Sequence, residues 1–471
     1  MTIVRVLNAE CIMLLITIIR KYNLEKSFSI DILSLAEESF STKNTVIKLF
    51  KLLKGFGYVT TKEKASIRGR GKNIYTFTQA FKDELKNDLF IIKAWESDNP
   101  AVDTLLKNKV AFSKQDSEDT KLLLRSSNRL FLLIFILHAD EFGVISNLST
   151  TAISKLMGGI TKDRFKSQLK TLYDIGIMKC HVSGVTGKEL FGKIKGKYYL
   201  DLSNSLFYEC YCNVSQLMVR VAGISDGNSF TEAGALFNNY RNYHTEKCFV
   251  WPSVIARYLE AFNFKNVIHF FNNQMMQEQF QLLLFNIASE ILSNCWYEPD
   301  KFTHSSVVLK LLNYPMLMTS KKAKELGNVE GLKEEVDRIF NHEFGENVPV
   351  SEFTSNETAE CYLELVWLIR KLSLSIANRY KLFLTTTLGK EVEMNKLMIM
   401  PITEFKVFEG EEYVELFEVF YIDGSAREIT KLQVLEDKLE VSKNGKAFER
   451  HGLVGGKENI SSLIDKMLLP S

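Results

Sequence analysis

The stretch Thr42–Thr78 constrains the fold of this chain more than any other, because its pattern changes from helical to strand spacing within a few residues. Thr42 is a typical helix N-cap, and apolar residues follow it at helical spacing, with lysines off the apolar stripe. Two glycines end the predicted helix. Tyr58–Thr61 and Ile74–Thr78 are rich in β-branched and aromatic residues, and they predict two strands joined by a glycine-rich tip with three cations.

The pattern of this stretch occurs twice. Thr161–Ile177 superposes on it at an offset of 119 residues, so that the caps Thr161 and Thr42 coincide. Upstream the offset becomes 120, which pairs Leu33 with Ile153 and places a one-residue difference in the turn. The coincidence of cap, apolar stripe and closing glycine predicts a repeated structural unit. The alternative is two unrelated amphipathic helices, each followed by a hairpin.

Asp31–Ser39 predicts a further helix before Thr42, so the order of elements is helix, helix, strand, basic tip and strand. This order resembles that of the winged-helix domains of bacterial regulators of the MarR type. The resemblance covers residues 5–200 and implies two tandem winged helices that bind double-stranded DNA. Tandem winged helices are also similar to plasmid replication initiators, which bind repeated origin sites with two such domains. No family resemblance covers residues 205–471.

The predicted fold class is α+β, predominantly helical. A chain of 471 residues is long enough for several domains. We expect two N-terminal winged-helix domains, a helical middle domain and a small antiparallel β C-terminal domain, over residues 1–100, 121–205, 206–390 and 391–471.

The sequence predicts the structure of several segments within these domains. An apolar helix over residues 4–21 is expected to pack as the first helix of its domain or to form a dimerisation face. Gln79–Trp95 predicts one helix, and the polar segment Lys114–Lys121 predicts a linker. Asp423-Gly424 and Asn444-Gly445 predict hairpin turns in the C-terminal sheet.

The net charge of +2 conceals an asymmetry. Residues 1–200 contain 32 Lys and Arg against 20 Asp and Glu, whereas residues 201–471 contain 27 against 37. This asymmetry favours nucleic acid as a partner of the first half. Seven scattered cysteines and the lack of a secretory signal predict a cytoplasmic protein, and the apolar run Leu130–Leu137 is too short to span a membrane.

DNA contacts are expected from the polar faces of the two helices that begin after Thr42 and Thr161, and from the basic wings. Asn44 is suited to adenine, and Asp163 either accepts from a cytosine amine or completes the helix cap. The alternative is a solvated lysine-rich surface. The candidate DNA-binding residues are Lys43, Asn44, Lys48, Lys51, Arg68, Arg70, Lys72, Lys162, Asp163, Lys166, Lys170, Lys188, Lys193, Lys195 and Lys197.

Other chemistry has weaker support. Cys210-x-Cys212 and His244-x₃-Cys248 have metal-ligand character, but buried free thiols explain the cysteines better, and we expect no metal and no cofactor. P-loop, H-E-x-x-H and G-x-S-x-G motifs are absent, so we expect no enzyme.

The sequence therefore favours a sequence-specific double-stranded DNA-binding protein. Among such proteins, a transcriptional regulator is the first expectation. The alternatives are a replication initiator of a plasmid or other mobile element, and a winged-helix protein-interaction subunit of a larger assembly. Residues 206–471 are expected to form a homo-oligomer or to bind a protein partner.

Overall fold

The computed structural model describes residues 6–64, 72–107, 111–114, 117–186, 192–222, 232–234, 274–313, 334, 357–388, 396–400, 405–408, 411–422, 429–435, 438–443 and 446–451. The chain forms two compact units. The N-terminal unit contains residues 1–181 and 195–211, and the C-terminal unit contains residues 182–194 and 212–471. Helices and mainly antiparallel sheets make up the described residues, and none of the helices among them is long and apolar enough to cross a bilayer.

The first copy of the repeated pattern is built around a three-stranded sheet. Its elements are α1 (Ala9–Lys21), β1 (Phe28–Ser29), α2 (Ile32–Glu38), α3 (Lys43–Gly55), β2 (Val59–Lys64) and β3 (Lys72–Phe77). The sheet is antiparallel with the strand order β1-β3-β2. Side-chain oxygens of Asn8, Asp31 and Thr42 cap the three helices by accepting first-turn amides, which have no partner within a helix.

Three helices and a hairpin lead to the second copy: α4 (Gln79–Lys86), α5 (Leu89–Glu96), α6 (Pro100–Lys107), β4 (Ala111–Lys114) and β5 (Ser117–Leu123). The helix expected over Gln79–Trp95 is divided, because the Asp88 carboxylate accepts the amide of Ile91 and starts a new helix. The expected linker Lys114–Lys121 instead belongs to the antiparallel hairpin, in which Ala111 lies opposite Leu123.

The second copy has the same order of elements as the first: α7 (Ser126–His138), β6 (Val144–Ile145), α8 (Thr150–Leu156), α9 (Lys162–Asp174), β7 (Met178–Val182) and β8 (Lys197–Leu200). Its strand order, β6-β8-β7, is also equivalent. Ser149 and Thr161 cap α8 and α9, as expected.

The structure corrects the register between the copies upstream of α3 and α9. Helices α2 and α8 correspond at an offset of 118, not 120. Leu35 and Ile153 are the equivalent buried residues, whereas Leu33 is 57% exposed. Residues 39–42 separate α2 from α3 and residues 157–161 separate α8 from α9, so the second turn is longer by one residue. Leu33 and Leu35 are both leucines, so the apolar pattern alone did not distinguish them, although two positions apart in a helix they face different sides.

The C-terminal unit combines long helices with a seven-stranded sheet. Its elements are β9 (Ser215–Ala222), α10 (Gln274–Asn294), α11 (His304–Asn313), α12 (Glu357–Leu388), β10 (Lys396–Met400), β11 (Phe405–Phe408), β12 (Glu411–Ile422), β13 (Ile429–Leu435), β14 (Lys438–Lys443) and β15 (Lys446–His451). The strand order is β10-β12-β9-β13-β14-β15, and β11 pairs with β12.

Strand β9 differs from two expectations. It lies in the region expected to be all helical, and it separates β12 from β13, which were expected to form a hairpin at Asp423-Gly424. β9 pairs antiparallel with β12 and parallel with β13. Such pairing joins residues about two hundred positions apart, and a local pattern holds no information about it. Strands β14 and β15 do pair across Asn444-Gly445.

Helix α10 covers the edge of this sheet. The hydroxyls of Ser289 and Ser293 accept the β10 amides of Ile399 and Leu397 at 2.8 and 2.9 Å. These bonds satisfy edge-strand donors that would otherwise be open to pairing with another chain.

Candidate nucleic-acid interface

Helix α3 presents a polar face. Val46, Leu49 and Leu53 are fully buried, and they fix the orientation of the helix. The opposite face carries exposed Lys43, Asn44, Ile47, Lys48 and Lys51. The candidate residues of α3 are therefore all accessible on one side of one helix.

Helix α9 has the equivalent arrangement. Phe165, Leu169 and Leu172 are buried. The exposed side carries Lys162, Asp163, Lys166 and Lys170. The Thr161 hydroxyl accepts the amide of Arg164 and caps the helix, so Asp163 is not needed for the cap.

The two predicted wings lie only partly within the described residues. Arg68, Arg70 and Lys188 lie outside the described residues, as does the side chain of Lys72, whose backbone starts β3. Lys193 is exposed, and Lys195 donates to the backbone oxygen of Asn147 at 2.9 Å.

Lys197 is half-buried, unlike the exposed basic edge expected for the second wing. Burial lowers the pKa of its ammonium, and the nearby Asp140 carboxylate partly offsets that effect. The neighbouring residues Tyr198 and Tyr199 are buried in the sheet.

The first helices of the two copies pack against each other. Six consecutive residues of α1, 11–16, are buried, and nine consecutive residues of α7, 129–137, are buried as well. At 3.6 residues per turn, such runs bury every side of a helix. α1 therefore packs against α3 within its own copy, as expected, and also against α7, so its apolar surface joins the two copies within one chain.

The turn of the first copy contacts the start of α7. The Ser126 hydroxyl donates to the backbone oxygen of Phe40 at 2.9 Å, and the Arg129 guanidinium lies 4.1 Å from the centre of the Phe40 ring. Arg129 is 3% exposed, and a desolvated cation–π contact of this kind contributes about 2 kcal/mol. Phe40 has a φ of 52°, an unusual conformation for a residue with a side chain, and these contacts fix it.

The turn of the second copy contacts the start of α1 in the reciprocal way. Gly158 has a φ of +78°, and a Cβ added there would lie 2.4 Å from the backbone oxygen of Leu7. Each turn is thus held by the first helix of the other copy, and the two copies are locked together.

The first turn of α1 lies between the starts of α3 and α9. The Thr45 hydroxyl of α3 donates to the Glu10 carboxylate at 3.2 Å. On its other side, Glu10 lines a cleft of about 240 Å³ together with Gly158, Thr161 and Arg164. The starts of α3 and α9 therefore lie on either side of the first turn of α1.

A second cleft, the α7–α9 cleft, lies between the start of α7 and one flank of α9. Its volume is about 460 Å³, and it is lined by Arg125, Ser127, Asn128, Arg164, Ser167, Gln168 and Thr171. The sequence interpretation missed Arg125 and Arg164. The one available signal was Gln168, a polar residue within the apolar stripe of α9 and only 4% exposed.

The two cysteines with metal-ligand character that lie in the described part of the chain are not placed in a metal site there. The Cys210 thiol donates to the Asn99 side-chain oxygen at 3.0 Å and accepts the amide of Ala101. Cys212 is exposed, and His244 and Cys248 lie outside the described residues. Among the described residues no group of three His, Cys, Asp or Glu is placed to hold a metal ion.

The chain matches no known protein family, no curated protein and no solved structure. The function is therefore inferred from the geometry of α3, α9 and the clefts beside them.

Proposed function

We propose that the N-terminal unit consists of two tandem winged helices and binds double-stranded DNA through α3 and α9. In this proposal the protein is a sequence-specific DNA-binding protein, and its first proposed role is that of a transcriptional regulator. The supporting observation is that two locked copies with the same topology each expose a cationic face on the third helix. A helix of this kind fits the major groove, and lysines along it neutralise phosphates.

The locked copies support reading of a site with fixed spacing. When two reading helices are held by one core, they cannot adapt to half-sites at different distances. A transcriptional regulator and a replication initiator both use such sites, so the same geometry supports the alternative of a replication initiator of a mobile element.

A protein-interaction role has separate support in the first copy. Leu33 on α2 and Ile47 on α3 are 57% and 44% exposed. Apolar residues on both helices suit a protein groove, although Ile47 also suits a thymine methyl group.

In the decisive experiment, genomic DNA fragments are incubated with the full chain, and the fragments that it retains are sequenced. Retained promoter sites favour regulation, clustered repeats at an origin favour replication, and no retention favours protein interaction. The double variant Lys48→Gln/Lys51→Gln should lower the slope of log K against log salt by about two units, because two phosphate contacts are lost.

A matched control removes two cations elsewhere. Lys86 and Lys93 are exposed on α4 and α5, and Lys86→Gln/Lys93→Gln changes the net charge equally. Equal loss of DNA affinity in both double variants would mean that α3 has no particular role and would refute the assignment.

A further inference from the structure

The start of α7 opens into the α7–α9 cleft without a side-chain cap. Arg125 occupies the N-cap position and makes no capping hydrogen bond. Ser127 and Asn128, in the first turn, line the cleft. Uncapped amides and the helix dipole make the first turn of a 13-residue helix favourable for an anion.

Two arginines line the same cleft. Arg125 and Arg164 are exposed, and neither forms an ion pair within the part of the chain that the structure describes. Arginine offers paired N–H donors that match two oxygens of one phosphate group. Hydroxyls of Ser127 and Ser167 add further donors around the cleft, whereas the Thr171 hydroxyl donates to the Ser167 backbone oxygen at 3.0 Å.

Gln168 supplies an independent indication of a ligand. It is 4% exposed, it lines the cleft, and its side-chain oxygen has no hydrogen-bond partner among the described residues. An unsatisfied buried polar group destabilises a fold, so a polar side chain here is unfavourable without a ligand. Rotation of the amide by half a turn exchanges its oxygen and nitrogen, and places an N–H donor where the unpartnered oxygen now lies.

We propose that the α7–α9 cleft binds a phosphate group, held by Arg125, Arg164, the Gln168 amide and the first-turn amides of α7. The phosphate group has two chemical sources. It belongs either to the DNA backbone beside α9, in which case the site rests on the proposed function, or to a small phosphorylated molecule.

The first arm of the test needs no DNA. Inorganic phosphate is titrated into the full chain by calorimetry, with chloride at equal ionic strength as the reference. Arg164→Gln should weaken phosphate binding about tenfold, because it removes a charge-assisted hydrogen-bonding group. Gln168→Leu should weaken it as well while leaving the fold intact, since it removes an unsatisfied buried atom. Lys155→Gln, an exposed cation on α8 outside the cleft, should bind phosphate like the unchanged chain.

The second arm measures affinity for random duplex DNA with the same variants. If Arg164→Gln loses affinity for both ligands, the phosphate belongs to DNA. If Arg164→Gln loses affinity for inorganic phosphate but not for DNA, the ligand of the cleft is a small phosphorylated molecule, and the proposed site is retained.

Two results would overturn the site: equal phosphate affinity in Arg164→Gln and the unchanged chain, or no phosphate binding by the unchanged chain. In either case intact DNA binding would leave the proposed function standing. Conversely, Arg164-dependent phosphate binding without any duplex binding would keep the site and refute the proposed function.

Discussion

Phe40 and Gly158 occupy the equivalent turns of the two copies, and they show how single residues fix the N-terminal unit. Phe40 has an unusual positive φ and is held by Ser126 and Arg129. Gly158 has no side chain, and the backbone before α1 lies where a side chain would be. One turn is therefore fixed by an added ring and the other by a missing Cβ atom.

Gly158→Ala should destabilise the N-terminal unit. Gly159, with a φ of +83° but nothing near its missing Cβ, is the matched control. Gly159→Ala should cost about 1–2 kcal/mol from the left-handed conformation alone. Gly158→Ala should cost about 1–3 kcal/mol more, because its Cβ displaces the Leu7 backbone.

The measurement is urea unfolding of a fragment containing residues 1–211, followed by the fluorescence of Trp95, its one tryptophan. Equal free energies of unfolding for the two alanine variants would show that the close approach between Gly158 and α1 does not exist in solution.

His138 makes the stability of the same unit depend on pH. Burial lowers the pKa of its imidazole, more than the hydrogen bond to the Ile134 oxygen raises it. As pH falls, the unfolded chain takes up this proton first, so the free energy of unfolding decreases below the ordinary histidine pKa of about 6.5.

The check is urea unfolding between about pH 7 and pH 5, where His138→Gln should give a flatter dependence than the unchanged fragment. Burial raises the pKa of the Asp140 carboxyl, which makes the free energy of unfolding increase as pH falls further. The unchanged fragment and His138→Gln share this contribution, so it does not affect their comparison. Identical pH profiles would exclude His138 as the cause.

At the scale of elements, α3 and α9 are amphipathic helices with a buried apolar stripe and an exposed cationic face. Caps at Thr42 and Thr161 make the first turn of each helix rigid. In the proposed DNA complex, a rigid first turn is where a side chain can be aimed at one base, whereas lysines further along contact phosphates.

Asn44→Ala should separate base reading from positioning. Because Asn44 lies in the capped first turn, its loss should cost about 1–3 kcal/mol of discrimination at one base pair and leave non-specific binding nearly unchanged. Lys48→Ala should weaken selected and random duplexes alike and lower the salt slope by about one unit. Arg70→Ala, in the first wing, is expected to behave like Lys48→Ala. If Asn44→Ala weakens both duplexes equally, α3 only anchors the phosphates.

At the scale of the whole molecule, the positive charge and the polar faces of α3 and α9 lie in the N-terminal unit, and the large sheet lies in the C-terminal unit. A basic unit and an acidic one suggest a division between DNA binding and assembly or partner binding. The role of residues 206–471 in a homo-oligomer or with a protein partner stays a prediction.

A fragment of residues 1–211 should bind duplex DNA with a steep salt dependence, and a fragment of residues 212–471 should not. Light scattering on the full chain should give a mass above that of a monomer, and the N-terminal fragment should be monomeric, because α1 is already buried against α7. Comparable DNA binding by both fragments would contradict the division. A monomeric full chain at concentrations that bind DNA would contradict the assembly role.

The sequence by itself determined the elements whose causes are local. The caps at Thr42 and Thr161, the apolar stripes of α3 and α9 and the left-handed glycines at 57 and 176 involve residues within a turn or two of each other. The exposed residues of α3 and α9 follow from the same stripes. Their predicted contact with DNA remains to be measured.

The tertiary structure alone decided everything that joins distant residues. The register of α2 against α8, the packing of α1 on α7 and the insertion of β9 between β12 and β13 depend on which surfaces meet in space. The α7–α9 cleft has the same origin. Arg125 and Arg164 belong to different helices, and Gln168 becomes an unsatisfied buried group only when those helices pack together. A periodic pattern specifies which face of an element is buried, but it holds no information about the partner that buries it.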